Sequence, residues 1–233
     1  MALALESEAR RAHLVELSGI WAGCRDCRLA ESRTQVVVGD GNPAADLMFV
    51  GEAPGFHEDA QGAPFVGQAG KLLDELLAGI GLTRADCYIA NVLKCRPPGN
   101  RDPLEDEIDA CRGKLVRQVA LIRPRVIATL GNFATKLLSG RPLGVTRVHG
   151  QARRTCVGEH PTVLYPLYHP AAALYNARLR PELEADIGRI PALLRHLDGL
   201  DGPAAEAEPE AREQAEPSDA EPAAVGGEQL GLF

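Results

Sequence analysis

The amino-acid sequence predicts an α/β fold in which helices cover both faces of a central, mainly parallel, four-stranded sheet. Short apolar runs alternate along the chain with segments of helical periodicity, and this alternation is typical of a three-layer α/β/α arrangement around a parallel sheet. The composition agrees with this class. The 233 residues are 45% hydrophobic and 24% charged, which is ordinary for a globular protein with a sizeable core.

The predicted helices carry apolar residues at helical spacing, and several of them end beside glycine or proline. The longest is amphipathic, and Pro124 stops it shortly after its last apolar residue. Proline has no backbone N–H to continue a helix, so the boundary is well marked. Five helices are predicted, over residues 4–20, 70–80, 105–122, 132–138 and 182–197.

The predicted strands are short apolar runs that stop at glycine or at a polar residue. Four are predicted, over residues 46–50, 87–93, 125–130 and 162–168. Ligands of open α/β sheets bind where loops leave the carboxyl ends of the strands. Three polar loops leave such ends here, beginning at Gly51, Asn91 and His169. We therefore expect the chemistry to lie in these loops.

The negative charge of the chain is concentrated at its C-terminal end. The net charge is −7, but nine acidic residues and one basic residue lie beyond residue 200. The first 200 residues are therefore close to neutral, which permits a local basic surface for nucleic acid. The sequence has no run of 18 apolar residues, and its first eleven residues do not resemble a signal peptide. We expect no membrane association and a cytoplasmic location.

Three segments are expected from the composition. Residues 1–199 form the folded domain, and residues 200–228 form an acidic linker rich in Ala, Pro and Glu that has too little apolar surface to fold. Residues 229–233 are apolar again, which a linker with only a solubilising role would not require.

Four of the six cysteines are candidate metal ligands. They form one Cys-x-x-Cys pair followed by two single residues: Cys24, Cys27, Cys95 and Cys111. Four thiolates of this kind can hold a zinc ion or an iron–sulfur cluster, and the spacing alone leaves both open. The alternative is a set of buried cysteines that act as small hydrophobic residues, which describes Cys87 and Cys156 better than the other four.

The three polar loops offer groups suited to binding a nucleobase. Glu52 is a carboxylate at a strand end, where it can orient water or accept a hydrogen bond. The Asn91 amide has one acceptor and two donors, which match the imide edge of a pyrimidine. His169 can donate to a developing anion. Taken singly, each has an ordinary structural alternative as a turn, a cap or a core residue.

Together these segments resemble the uracil-DNA glycosylase superfamily, and within it family 4, the iron–sulfur branch of bacteria and archaea. The resemblance covers about residues 24–197. It consists of four cysteines in the family's order and of four motifs, at residues 51–55, 64–67, 91–98 and 169–174. The segment between the last two cysteines contains no histidine, unlike the uracil-crosslinking relatives, so covalent trapping of DNA is not expected.

The resemblance implies a monofunctional DNA-repair hydrolase that flips uracil out of DNA and cleaves its glycosidic bond. It implies a 4Fe–4S cluster on Cys24, Cys27, Cys95 and Cys111. Glu52, Asn91 and His169 are the expected catalytic residues. The expected uracil contacts are Glu52, Ala53, Pro54, Glu58, Phe65, Asn91 and His169.

The resemblance leaves some points open. Ala53 stands where family 1 enzymes carry an aspartate that activates water, so the group that orients the attacking water here is Glu52, Asn91 or a backbone carbonyl. Glu58 and the turn at Gly55 are candidates for excluding thymine. The resemblance implies a monomer that binds uracil-containing DNA and a nucleoid-associated location in a bacterium. The alternative function is a non-catalytic iron–sulfur module that binds DNA.

The last five residues suggest a second partner. These residues resemble the sliding-clamp-binding pentapeptide of bacteria, whose pattern is Gln-Leu-Ser/Asp-Leu-Phe. Four positions match the pattern, Gln229, Leu230, Leu232 and Phe233, and only Gly231 departs from it. The three apolar side chains would fill a hydrophobic pocket, and the glutamine amide would bond at its rim. We expect the bacterial sliding clamp as a partner.

Overall fold

The structure is a computed structural model that describes residues 2–198. Its centre is a mixed sheet in which the strands lie in the order β1-β3-β2-β4-β6-β5. The strands are β1 (Asp40–Gly41), β2 (Leu47–Gly51), β3 (Tyr88–Asn91), β4 (Val126–Leu130), β5 (Arg153–Val157) and β6 (His160–Leu167). The four central strands run parallel, and the two edge strands are antiparallel to their neighbours.

Helices pack on both faces of the sheet. They are α1 (Ala2–Ala22), α2 (Phe56–Gln61), α3 (Gln68–Gly79), α4 (Glu105–Ile122), α5 (Asn132–Ser139), α6 (Val145–Val148), α7 (Pro170–Tyr175), α8 (Leu179–Gly188) and α9 (Ile190–Asp198). Within residues 2–198, no helix combines the length and the apolar character needed to cross a membrane.

The two larger apolar cores of residues 2–198 lie on opposite faces of the sheet. One joins the sheet to the apolar faces of α3 and α8, and the other joins it to α4 and α5. All residues of β2, β3 and β4 are buried, because each of these strands has neighbours on both sides and helices above and below. This explains why their sequences are continuous apolar runs and not alternating ones. The rigid sheet fixes the three loops that leave its carboxyl edge.

The predicted α/β class is confirmed, but the predicted strand number is wrong, because the sheet has six strands and not four. β1 is only two residues long, too short for a pattern to appear in the sequence. β5 is mostly exposed and begins with two arginines, so it lacks the apolar run that marks a buried strand. The four predicted strands correspond to β2, β3, β4 and β6, which form the parallel centre of the observed sheet. The two antiparallel edge strands are the ones that the sequence does not predict.

Two helical predictions also need correction. The single helix predicted over residues 182–197 is two helices, α8 and α9, which meet at Gly188 and Ile190. Pro191 has no N–H for a continuous helix, so it favours a new first turn. The second correction concerns the short helices α2 and α7, which the sequence predicts as parts of the strand-end loops. The predicted domain boundaries near residues 199 and 228 lie outside the described residues.

Candidate active site

The three strand-end loops surround one cavity of about 480 Å³. Gly51 at the end of β2 pairs with Asn91 at the end of β3, and His169 follows β6 two residues after its end. All seven predicted uracil contacts line this cavity: Glu52, Ala53, Pro54, Glu58, Phe65, Asn91 and His169. Residues up to 117 positions apart in the sequence are brought together because parallel strands deliver their loops to the same edge.

Asn91 is held rigidly at the floor of the cavity. Asn91 is only 2% exposed, and its backbone carbonyl accepts a hydrogen bond of 2.7 Å from Lys94 Nζ. Gly51 gives the side chain its space, because a Cβ there would lie 2.4 Å from Asn91 Oδ1. Any other residue at position 51 would displace the amide. The amide is therefore preorganised to form paired hydrogen bonds with a ligand.

His169 is a neutral hydrogen-bond donor. It is the N-cap of α7, where its Nδ1 accepts a hydrogen bond of 3.1 Å from Ala171 N. This bond requires an unprotonated Nδ1, so the single proton of the neutral ring is on Nε2. Burial lowers the pKa of His169 to about 4, although the negative charge of Glu58 acts in the opposite direction. At neutral pH the ring therefore offers an N–H and carries no charge.

The depressed pKa of His169 predicts a pH-dependent contribution to stability. An unfolded histidine binds its proton near pH 6.5, while the folded ring does so only near pH 4. Between these values the unfolded chain holds more protons, so the free energy of unfolding falls as the pH decreases from about 6.5 to 4. The loss attributable to this group is about 3 kcal/mol. Urea denaturation of the wild type and of His169→Asn across this range measures it, and parallel curves for the two proteins would contradict the assignment.

Phe65 forms an aromatic wall of the cavity. Its ring stacks on the His169 ring with centroids 5.6 Å apart and planes inclined by 26°. A Cβ at Gly51 would lie 2.8 Å from Phe65 Cζ, so the same glycine makes room for both Phe65 and Asn91. The backbone of Phe65 has a φ of 52°, in the left-handed region that a bulky residue rarely adopts.

The two glutamates of the cavity have different environments. The carboxylate of Glu58 accepts hydrogen bonds from the backbone amides of Gly55, Val66 and Gly67, at 3.1, 2.9 and 2.9 Å. It therefore joins the loop after β2 to the loop that carries Phe65. Glu52 is half-buried, and burial together with the negative charge of Asp102 raises the pKa of its carboxyl.

Comparison with known proteins decides the family. The model of the uracil DNA glycosylase superfamily matches residues 38–188. A type-4 uracil-DNA glycosylase of Sulfurisphaera tokodaii is 48% identical over 175 residues, which cover 73% of this chain and 80% of the relative. Type-4 enzymes of Archaeoglobus fulgidus and Thermotoga maritima are 48% and 44% identical, over 73% and 74% of this chain and 87% and 90% of theirs. The chain belongs to the type-4 uracil-DNA glycosylases.

Arg101 and Tyr175 also line the cavity of this type-4 glycosylase, although neither is among the predicted uracil contacts. Arg101 forms a two-pronged ion pair with Glu107, at 2.9 and 2.5 Å, and this pairing lowers the pKa of the Glu107 carboxyl. Tyr175 is 94% exposed at the cavity mouth. A large exposed aromatic side chain is a signal for binding, but exposure is not visible in a sequence.

The four predicted cysteine ligands of the glycosylase line a second, narrow cavity: Cys24, Cys27, Cys95 and Cys111. None of the four forms a disulfide bond. Cys111 Sγ accepts a hydrogen bond of 3.3 Å from the backbone amide of Lys94, and Cys95 Sγ accepts one of 3.6 Å from Arg33. Residues 2–198 contain no cluster of His, Cys, Asp or Glu side chains close enough for a single metal ion.

The donors around this second cavity suit a group that is bound by sulfur. Its two carboxylates are already paired, Asp26 with Lys114 and Glu107 with Arg101, so the thiols are the groups available to coordinate. The other two cysteines lie elsewhere, with Cys87 buried before β3 and Cys156 exposed in β5.

Proposed function

We propose that this protein removes uracil from DNA by hydrolysing the N-glycosidic bond, which releases the free base and leaves an abasic site. The observation that carries the proposal is the convergence of a rigid Asn amide, a neutral His donor and an aromatic ring on one cavity. Curated relatives with the name type-4 uracil-DNA glycosylase support it. DNA is then the macromolecular substrate, and the target base has to leave the helix to reach these groups, at a cost of a few kcal/mol.

Two residues account for recognition of the base. The ring of Phe65 offers a flat apolar surface on which the base stacks. The Asn91 amide pairs with the imide edge of uracil through one donor and one acceptor. Cytosine presents an amino group where uracil has O4, so the same amide would face a mismatched donor. Because Asn91 is buried, an unpaired group there carries the full cost of desolvation.

His169 accounts for stabilisation of the leaving group. Negative charge develops on uracil O2 as the glycosidic bond breaks, and the Nε2–H of the neutral ring donates to that atom. The ring is already fixed by its bond to Ala171 N, so it needs no reorganisation during the reaction. One preorganised donor of this kind typically contributes about 3–4 kcal/mol to transition-state stabilisation.

We assign the attacking water to Glu52. The side chain of Ala53 has no polar group to bind water, and the carboxylate of Glu58 is engaged by three backbone amides. Glu52 lines the same cavity, and its raised pKa makes its carboxylate a better proton acceptor than an ordinary glutamate. The contacts of Glu58 make it a residue that positions the loops, and Glu58 and the Gly55 turn that it holds remain the candidates for excluding thymine.

Release of free uracil from a uracil-containing oligonucleotide tests the proposed function. We expect release in a single-turnover assay and none from matched oligonucleotides with thymine or cytosine at the same position. Binding of the uracil oligonucleotide without any release would instead support the alternative, a non-catalytic DNA-binding module.

We further propose that Cys24, Cys27, Cys95 and Cys111 hold a 4Fe–4S cluster. Their all-thiol composition supports this proposal, as do the N–H donors to Cys95 and Cys111, because such hydrogen bonds are common around cluster sulfurs. When bound, the cluster would supply a rigid cross-link between α4 and the loop after β3. Hydrolysis transfers no electrons, so the role required of these ligands is structural.

The predicted clamp-binding peptide, residues 229–233, lies outside the described residues. The proposal that it binds a sliding clamp therefore rests on its sequence alone. Deleting Gln229–Phe233 is expected to abolish binding to a purified bacterial sliding clamp, because three apolar anchors are lost together. Excision from free oligonucleotides should be unchanged, since the peptide is remote in sequence from the cavity residues. Equal clamp affinity for the truncated and full-length chains would disprove the proposal. The monomeric state and the cytoplasmic, nucleoid-associated location also stay predictions.

A further inference from the structure

We propose that Arg84 is a positioning residue for uracil excision, and that it acts by holding the backbone of Phe65 in its left-handed conformation. The inference rests on the proposed function, because it concerns the ring on which the flipped base would stack. Arg84 lies in the short turn before β3, and its contacts are with the loop that carries Phe65.

The conformation of Phe65 requires support from its surroundings. A φ of 52° brings the Cβ of a bulky side chain close to its own backbone, and such a residue persists only when neighbouring groups hold it. The packing beneath it is also close. A Cβ at Gly70 would lie 1.7 Å from the Phe65 carbonyl oxygen, so only glycine in α3 allows this peptide to lie where it does.

Arg84 supplies that support from one side of the loop. Its guanidinium donates to the carbonyl oxygen of Pro64 at 3.0 Å and to that of Phe65. A third N–H donates to Asp74 on α3 at 2.7 Å, which fixes the plane of the guanidinium. Both carbonyls beside the strained residue are therefore bound by one rigid, forked donor.

Glu58 holds the other side of the same loop. Its carboxylate accepts from the amides of Val66 and Gly67, both at 2.9 Å. The carbonyls of residues 64 and 65 thus bind a cation, and the amides of residues 66 and 67 bind an anion. If Arg84 is removed, the two carbonyls have to find water, and Phe65 relaxes towards negative φ. The ring would then turn away from the cavity that it lines.

A double-mutant cycle tests whether Arg84 acts through Phe65. Single-turnover excision is measured for the wild type, Arg84→Met, Phe65→Ala and the double variant. We expect Arg84→Met to slow excision by about 10-fold or more, since small misplacements of a binding group have effects of this size. In the Phe65→Ala background the same substitution should have almost no effect, because the ring that it positions is absent. Arg84→Lys should restore part of the rate, as an ammonium can bind one carbonyl but not both.

Arg180→Met is the matched control. Arg180 also pairs with acidic side chains, Glu75 and Glu184, but those contacts lie away from the Phe65 loop, so its excision rate should be unchanged. Amide hydrogen exchange gives a second readout that does not depend on catalysis. Exchange at Val66 and Gly67 should accelerate in Arg84→Met, while exchange in the buried strand β4 should not.

The outcomes separate the two proposals. If the wild type releases no uracil, the proposed function fails, whatever the exchange data show. If the wild type is active and Arg84→Met slows both backgrounds by the same factor, Arg84 does not act through Phe65 and the inference is overturned. Unchanged exchange at Val66 and Gly67 in Arg84→Met would also overturn it, because the loop would then be held without the guanidinium.

Discussion

Replacing His169 by alanine is expected to slow single-turnover uracil excision by about 100-fold or more. The ring is a fixed, neutral donor, because its Nδ1 accepts from Ala171 N and its burial lowers its pKa to about 4. Its removal therefore takes away a donor aimed at the developing charge on the base without removing any positive charge from the DNA-binding surface. The affinity for uracil-containing DNA should change little, since the interaction gains its strength in the transition state.

His160→Ala provides a matched control at the opposite end of β6 from His169. His160 begins β6 at the end of the sheet opposite the cavity, where its Nε2 lies 3.0 Å from the carbonyl oxygen of Pro124. Its loss should leave excision within a factor of about two of the wild-type rate. Excision by His169→Ala at the wild-type rate, in a variant that is folded by circular dichroism, would show that the leaving-group assignment is wrong.

Residue types at strand ends made the location of the site predictable. Glu52, Asn91 and His169 lie at or within two residues of the ends of β2, β3 and β6, whose runs are apolar because the strands are largely buried. In a parallel sheet, the ends of such runs meet at one edge, so the sequence order alone indicates that these residues converge. The missed edge strand β5 had no effect on this prediction, because it contributes no loop to the cavity.

The interactions that set the geometry of the site could not be read from the sequence. Arg84 is 19 positions from Phe65, in a turn whose residues look like ordinary exposed polar ones. Glu58 is predicted as a candidate for excluding thymine, and the structure adds that its oxygens accept hydrogen bonds from three backbone amides. A sequence shows that a carboxylate is present, but only the folded loop shows which N–H groups it accepts from. Partner choice across loops depends on backbone conformations, such as that of Phe65, which local propensity disfavours.

Replacing Cys111 by alanine is expected to abolish the brown colour and the broad absorption at about 400 nm that a 4Fe–4S cluster gives. The same substitution should slow excision by about 10-fold or more. Cys111 lies on α4, and its sulfur accepts the backbone N–H of Lys94. The side chain of Lys94, which is fully buried, donates to the carbonyl of Asn91 at 2.7 Å. A chain of contacts therefore runs from this thiol to the backbone of Asn91, whose side-chain amide would read uracil.

The controls for this prediction are the two cysteines outside the ligand set. Cys87→Ser and Cys156→Ser should retain the iron content of the wild type, because neither residue lines the cavity of the four thiols. Iron content and absorption are measured on the purified protein, so this result does not depend on catalysis. Equal iron content and unchanged thermal stability in Cys111→Ala would remove Cys111 from the ligands. Full loss of iron with wild-type excision would instead show that the contacts of Lys94 hold Asn91 in place without the cluster.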